Sequence, residues 1–159
     1  VYECSIYRTD QRKINAREFH MRNEDAQLHA LWARQAEQRG DFLAARLEHL
    51  KCVESWKQSG DGAAVDAAKA EYSAFVRRDP IFKALVAVLV RMVQENPGIL
   101  QSDISKSAES SSWPALYNYN RPLSREDISY ALYFAHEFGI IARTKKGRSY
   151  ELRLASHSL

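Results

Sequence analysis

The residues best equipped for chemistry lie late in the chain. Arg125, Ser129, Tyr130 and Tyr133 recur at helical spacing behind Ser124, and Lys145, Lys146 and Arg148 crowd around Gly147. Arg121 stands just upstream. A guanidinium forks onto a phosphate or a guanine edge, an ammonium acts as a compact point charge, and hydroxyls donate to bases or phosphates. Such a set holds an anionic surface. It contains no nucleophile paired with a base, so it neither makes nor breaks bonds.

Catalytic patterns are missing elsewhere too. The five histidines, His20, His29, His49, His136 and His157, stand at no metal-ligand spacing, and the sequence has no GxSxG, Walker loop, GxGxxG or CxxC. His136 beside Glu137 reads as a surface residue near a helix end, because a site needs convergent partners. The expectation is a non-enzyme with no catalytic residue, no metal and no cofactor. Cys4 and Cys52 make no disulfide framework. Cys52, between Leu50 and Val53 in a helical pattern, reads as a small buried residue.

The elements that position the cationic residues can be read from period. Ser124 and Asp127 form a capping box at the start of an apolar run. Ile128, Ala131, Leu132, Ala135 and Phe138 then make one buried stripe, and Gly139 ends the helix. With that stripe inward, Arg125, Glu126, Ser129, Tyr130, Tyr133 and Glu137 face outward. Residues 140–144 read as a short strand, Lys145 to Arg148 as a tight cationic turn, and Tyr150, Leu152 and Leu154 as a half-buried return strand.

A capped helix running into a basic two-stranded hairpin resembles the C-terminal end of a winged helix-turn-helix of the MarR-like broad class. The resemblance covers the last half of the chain. It implies that helix 124–138 lies in the major groove of duplex DNA, with Arg125, Ser129, Tyr130 and Tyr133 toward bases or phosphates. It also implies that the wing, 144–149, sets Lys145, Lys146 and Arg148 against the backbone. Arg121 joins this DNA-binding set. Glu126, Asp127 and Glu137 leave the helix no more than neutral.

Upstream, residues 81–95 are apolar almost all round, which predicts a central helix buried on several sides. Asn96-Pro97-Gly98 ends it, Ile99 and Leu100 read as a brief strand beside the wing, and residues 101–108 as a short helix with Ile104 buried. Residues 109–123 then form a long connection where a compact helix-turn-helix has a turn of a few residues. Its Trp113, Tyr117 and Tyr119 either fold down as a cap on the core or form a partner-binding loop.

The first half, 1–80, reads as a helical bundle. An arm over 1–22 precedes helices that start near Asn23, Asp41 and Ala63, punctuated by Gly40 and by Ser59-Gly60-Asp61-Gly62. Leu28, Leu31, Trp32 and Ala36 are the expected inner face of the first helix. In the second, Phe42, Leu43, Ala45, Leu47, Leu50, Val53 and Trp56 repeat at helical spacing. The first two helices resemble a single tetratricopeptide hairpin, carried by Ala33, Gly40, Phe42 and Ala45.

Charge is uneven: residues 1–80 hold 13 Lys/Arg against 13 Asp/Glu, and residues 81–159 hold 10 against 7. A local positive patch on a balanced chain suits phosphate or an acidic partner. The most apolar run, residues 84–90, is too short to span a bilayer, so no membrane partner is expected, and a cytoplasmic (in bacteria, nucleoid-associated) location follows. A start at Val1 is compatible with a fragment of a longer protein.

Together these readings predict a mainly α protein with a small β-hairpin wing: a helical bundle, 1–80, followed by a winged helix-turn-helix domain, 81–159. The expected function is binding of duplex DNA in transcriptional or replication control, with the bundle forming a homodimer or meeting a protein partner. The alternative is a protein-docking module of a larger assembly. An array of helices followed by a winged helix resembles PCI domains in architecture.

Overall fold

The structure, a computed structural model, describes residues 23–110 and 123–156. The sequence readings for 1–22 and most of the 109–123 connection lie outside the described residues. The chain is mainly helical and closes on a two-stranded antiparallel hairpin. It resolves into two compact units, Val1–Val76 and Arg77–Leu159.

The first unit holds α1 (23–38), α2 (Phe42–Ser59) and most of α3 (Gly62–Arg78). One two-residue device makes both turns. Gly40 and Gly60 take positive φ at the end of a helix, and the aspartate that follows caps the next one. Asp41 Oδ1 accepts from the Ala44 amide and Asp61 Oδ1 from the Ala64 amide, each at 3.1 Å.

Of the expected inner face of α1, only Ala36 is buried. Leu28, Leu31 and Trp32 are 43–45% exposed, and the buried positions are Ala26, Ala33 and Ala36. Leu47 and Leu50 on α2 are likewise exposed, while Ala45, His49, Cys52 and Val53 are buried. Small side chains let helix axes approach closely, so an alanine face wins where helices pack tightly. Volume comes from aromatic rings instead: His49 stacks on Tyr72 with centroids 5.7 Å apart and lies 4.8 Å from Phe75. Burial pushes the Cys52 thiol above its ordinary pKa, which keeps it protonated and unreactive.

The second unit is built on α4 (Pro80–Glu95). Asp79 caps it, accepting from the Ile81 amide at 2.8 Å, and Pro80 occupies the first turn, where a missing N–H costs nothing. Its buried stripe is Ile81, Phe82, Leu85, Leu89 and Val93, whereas Val86, Val88 and Met92 are only half-buried. The all-round burial expected from composition is thus confined to one face.

After α4 the chain turns at Gly98, whose φ is +86°. The Gly98 amide donates to the Leu152 carbonyl and the Leu152 amide to the Ile99 carbonyl, both at 2.9 Å. Leu100 bridges Glu151 in antiparallel sense, so residues 98–100 add a short third edge to the hairpin. Helix α5 (Gln101–Ser110) follows with Ile104 fully buried.

Helix α6 (Arg125–Glu137) opens on the capping box read from sequence. The Asp127 amide donates to Ser124 Oγ at 3.3 Å, and the Ser124 amide to Asp127 Oδ2 at 2.9 Å. Ile128, Ala131, Leu132 and Ala135 are buried as expected, joined by Phe134. Phe138 packs edge-on against Phe82 at 5.6 Å, under the guanidinium of Arg77. Strands β1 (Ile141–Lys146) and β2 (Ser149–Leu154) pair from Ile141↔Leu154 to Lys146↔Ser149, and Gly147 and Arg148 form the loop.

Gly98 gives a direct test of this frame. A Cβ there would lie 3.2 Å from Arg153 Nη2, the far end of a long side chain, so the dominant penalty is the left-handed backbone. Gly98→Ala is expected to destabilise by roughly 1–2 kcal/mol. Gly62→Ala, at a helical position with open space, should be neutral or stabilising. Urea denaturation of both variants checks the contrast.

Candidate nucleic-acid interface

Strand alternation divides the cationic residues of the hairpin. β1 runs through Lys146, so Lys145 and Lys146 belong to the strand rather than to the turn. Successive strand side chains point to opposite faces. Register then places Arg143, Lys145, Tyr150 and Leu152 on one face and Lys146, Ser149, Glu151 and Arg153 on the other. Arg143 and Lys145 both lie over the Tyr150 ring, 4.1 and 4.7 Å from its centroid. This splits the single basic turn expected from the sequence.

On the opposite face, Glu151 holds two cations. Lys146 Nζ donates to Glu151 Oε2 at 2.9 Å and Arg153 Nη2 to Oε1 at 2.8 Å. The hydrogen bonds from Lys146 and then from Arg153 keep the Glu151 carboxyl below its ordinary 4.5. Lys146 is therefore an ion-paired residue, not an uncommitted one like those expected along the wing.

Tyr130 is corrected as well. Its hydroxyl donates to Asp79 Oδ2 at 2.8 Å, and its ring packs edge-on against Phe82 and Phe134. Asp79 is fully buried, so the tyrosine satisfies a carboxylate that caps α4. Tyr130 ties α6 to α4 and is unsuited to reading a groove. Tyr133 is 49% exposed and remains on the outer face of α6.

Arg125, Ser129 and Arg148 come together. They line a cleft of about 230 Å³ between α5, α6 and the hairpin, with Tyr150 on its wall. Helix α5 contributes Lys106, which the sequence reading missed, together with Gln101, Ser102 and Ser105. Gln101 acts as a brace: its Oε1 accepts from Arg143 Nη2 at 3.1 Å, and its Nε2 donates to Ser129 Oγ at 3.3 Å. Among the described residues, the cleft lining includes three cationic side chains and no carboxylate. The only sequence signal for Lys106 was helical spacing, since Lys106 follows Ser102 by one turn of α5.

Arg121, Trp113, Tyr117 and Tyr119 lie outside the described residues. His136 sits at the junction of α6 and β1, where Nδ1 is 3.3 Å from both the Ile141 carbonyl and the Arg143 amide. Among the described residues no group of three or more His, Cys, Asp or Glu side chains gathers to hold a metal. No described helix is long and apolar enough to cross a membrane. No protein-family model, curated protein or solved structure matches the chain.

The Glu151 pairing sets a pH prediction. Its lowered pKa means that the fold favours the charged form. The associated stability is present above the unfolded value and is lost as pH falls below 4.5 through the folded value. In Lys146→Ala the Glu151 carboxyl should titrate closer to 4.5, read from its side-chain carboxyl carbon by NMR. An unchanged titration would mean that Lys146 does not hold this carboxylate.

Proposed function

We propose that the second unit is a winged helix-turn-helix that binds duplex DNA, with α6 toward the major groove and the hairpin against the flanking backbone. The observation that carries this reading is the convergence of Lys106, Arg125 and Arg148 on one cleft beside the exposed face of α6. Element order supports it: α4, the short edge at 98–100, α5, α6 and the hairpin, with the edge paired antiparallel to β2. Regulation of transcription or replication is the role such binding would serve. Arg125 and Ser129 are the candidates for base or phosphate contact, Tyr133 extends the same helix, and Lys145 and Arg148 serve the backbone.

A second reading, docking to protein, is favoured by one feature of the first unit. Leu28, Leu31 and Trp32 share a face of α1 at i, i+3 and i+4, and Leu47 and Leu50 share a face of α2. All five are between 43 and 50% exposed. A second copy of the chain on these faces would give a homodimer able to place two second units on one duplex.

Fluorescence anisotropy with a random duplex of about 30 base pairs tests the first reading. Wild type should bind in the micromolar range near 50 mM salt and lose affinity steeply by about 200 mM. Lys145→Ala/Arg148→Ala should weaken binding to every sequence alike and lower the salt slope by about two. Lys146→Ala should cost less, because its charge is shared with Glu151. Absence of binding near 50 mM would overturn the duplex reading and favour docking.

A further inference from the structure

We infer that a cleft between α1, α2 and α3 of the first unit binds a free α-amino acid of about leucine's size, its carboxylate on Arg34 and its ammonium on Glu71. The inference concerns the first unit alone and does not rest on the duplex reading.

Shape is the first ground. Native interiors are close-packed and leave few voids larger than a water molecule. Here the three helices bound a cleft of about 250 Å³. Side-chain size keeps it open: Ala30 of α1 and Ala64, Ala67 and Ala68 of α3 line it, and each ends at Cβ. Trp56 of α2 adds an aromatic wall beside the buried Cys52. This part of the cleft is apolar and suits a hydrocarbon side chain. The volume is below that of the pockets that take drug-sized ligands, so the ligand is small.

Charge is the second ground. The Arg34 guanidinium and the Glu71 carboxylate line the same cleft. They are of opposite sign, yet neither makes an ion pair with the other or with any described residue. Both act on the Cys52 thiol. Burial raises its pKa and a hydrogen bond from Trp56 lowers it; Arg34 then lowers it and Glu71 raises it. Arg34 follows Ala30 by one turn of α1, and Glu71 follows Ala67 by one turn of α3. Helical side chains lean toward the N-terminus, so each charged head leans over its alanine.

The two signs together select the ligand. A plain anion is drawn to Arg34 but repelled by Glu71, and a plain amine is treated in the opposite way. A zwitterion makes a charge-assisted hydrogen bond with each. An α-amino acid carries carboxylate, ammonium and side chain on one carbon. Its head can therefore meet both charges while its side chain lies against the alanines, Cys52 and Trp56.

The test titrates L-leucine into the full chain labelled with ¹⁵N. Amide shifts in 30–34, 52–56 and 64–71 should saturate together. Isocaproate, which is leucine without its ammonium, and isoamylamine, which lacks the carboxylate, should each bind about tenfold more weakly. Arg34→Gln and Glu71→Gln should each weaken leucine by a similar factor. Ala67→Leu, which suits a helix and fills the cleft, should abolish leucine binding. All three changes fall on exposed positions, and spectra that keep the wild-type pattern elsewhere verify the fold. Equal binding of the three compounds, or leucine binding that ignores both charge changes, would overturn the assignment of a zwitterion. Scattered, unsaturable shifts with leucine would overturn the site itself.

Discussion

Two backbone hydrogen bonds, from Gly98 to Leu152 and from Leu152 to Ile99, set the arrangement of the whole second unit. A two-stranded hairpin alone is marginal in water, and its outer edge presents unpaired amides and carbonyls. Residues 98–100 cover part of that edge, beside the fully buried Leu152. Because these residues join α4 to α5, the same bonds fix where α4 ends, where α5 begins and where the hairpin sits. The cleft follows, since its three walls are the elements brought together there. Gly98 is needed because the chain must turn through positive φ while its amide still faces Leu152.

Within that frame the electrostatics divide by strand face. Glu151 gathers Lys146 and Arg153 on one side of the hairpin, while Arg143 and Lys145 bracket Tyr150 on the other. Exposed ion pairs add little to stability. Their consequence is one of charge distribution: the Glu151 face is partly neutralised, and Lys106, Arg125 and Arg148 remain concentrated on the cleft. A modest net charge of +3 for the chain therefore hides a local anion-attracting surface.

Much of this frame was legible in the sequence. The capping box at Ser124 and Asp127, the stripe from Ile128 to Ala135, the glycine-aspartate turns and the Ile99–Leu100 edge are local signals, set by period and capping. The misreadings arose where the deciding partner is distant in sequence or where two patterns fit. Tyr130 looked available because Asp79, its partner, lies 51 residues away. On α1, Leu28, Leu31 and Trp32 have helical spacing, but so do Ala26, Ala33 and Ala36, and it is these alanines that are buried. Lys145 and Lys146 read as a turn beside Gly147, yet pairing continues to Ser149 and sends them to opposite faces. Lys106 was invisible as a site residue because only the fold brings α5 to the hairpin.

The central claim is that one face of the second unit, made by α5, the exposed side of α6 and the hairpin loop, meets the duplex. Amide chemical-shift mapping of the ¹⁵N-labelled chain with a short duplex tests it most directly. The account predicts that perturbed residues cluster at 101–106, 125–133 and 143–150, with α2 nearly silent. Perturbation centred on Leu28, Trp32 and Leu47, or spread evenly over both units, would contradict it.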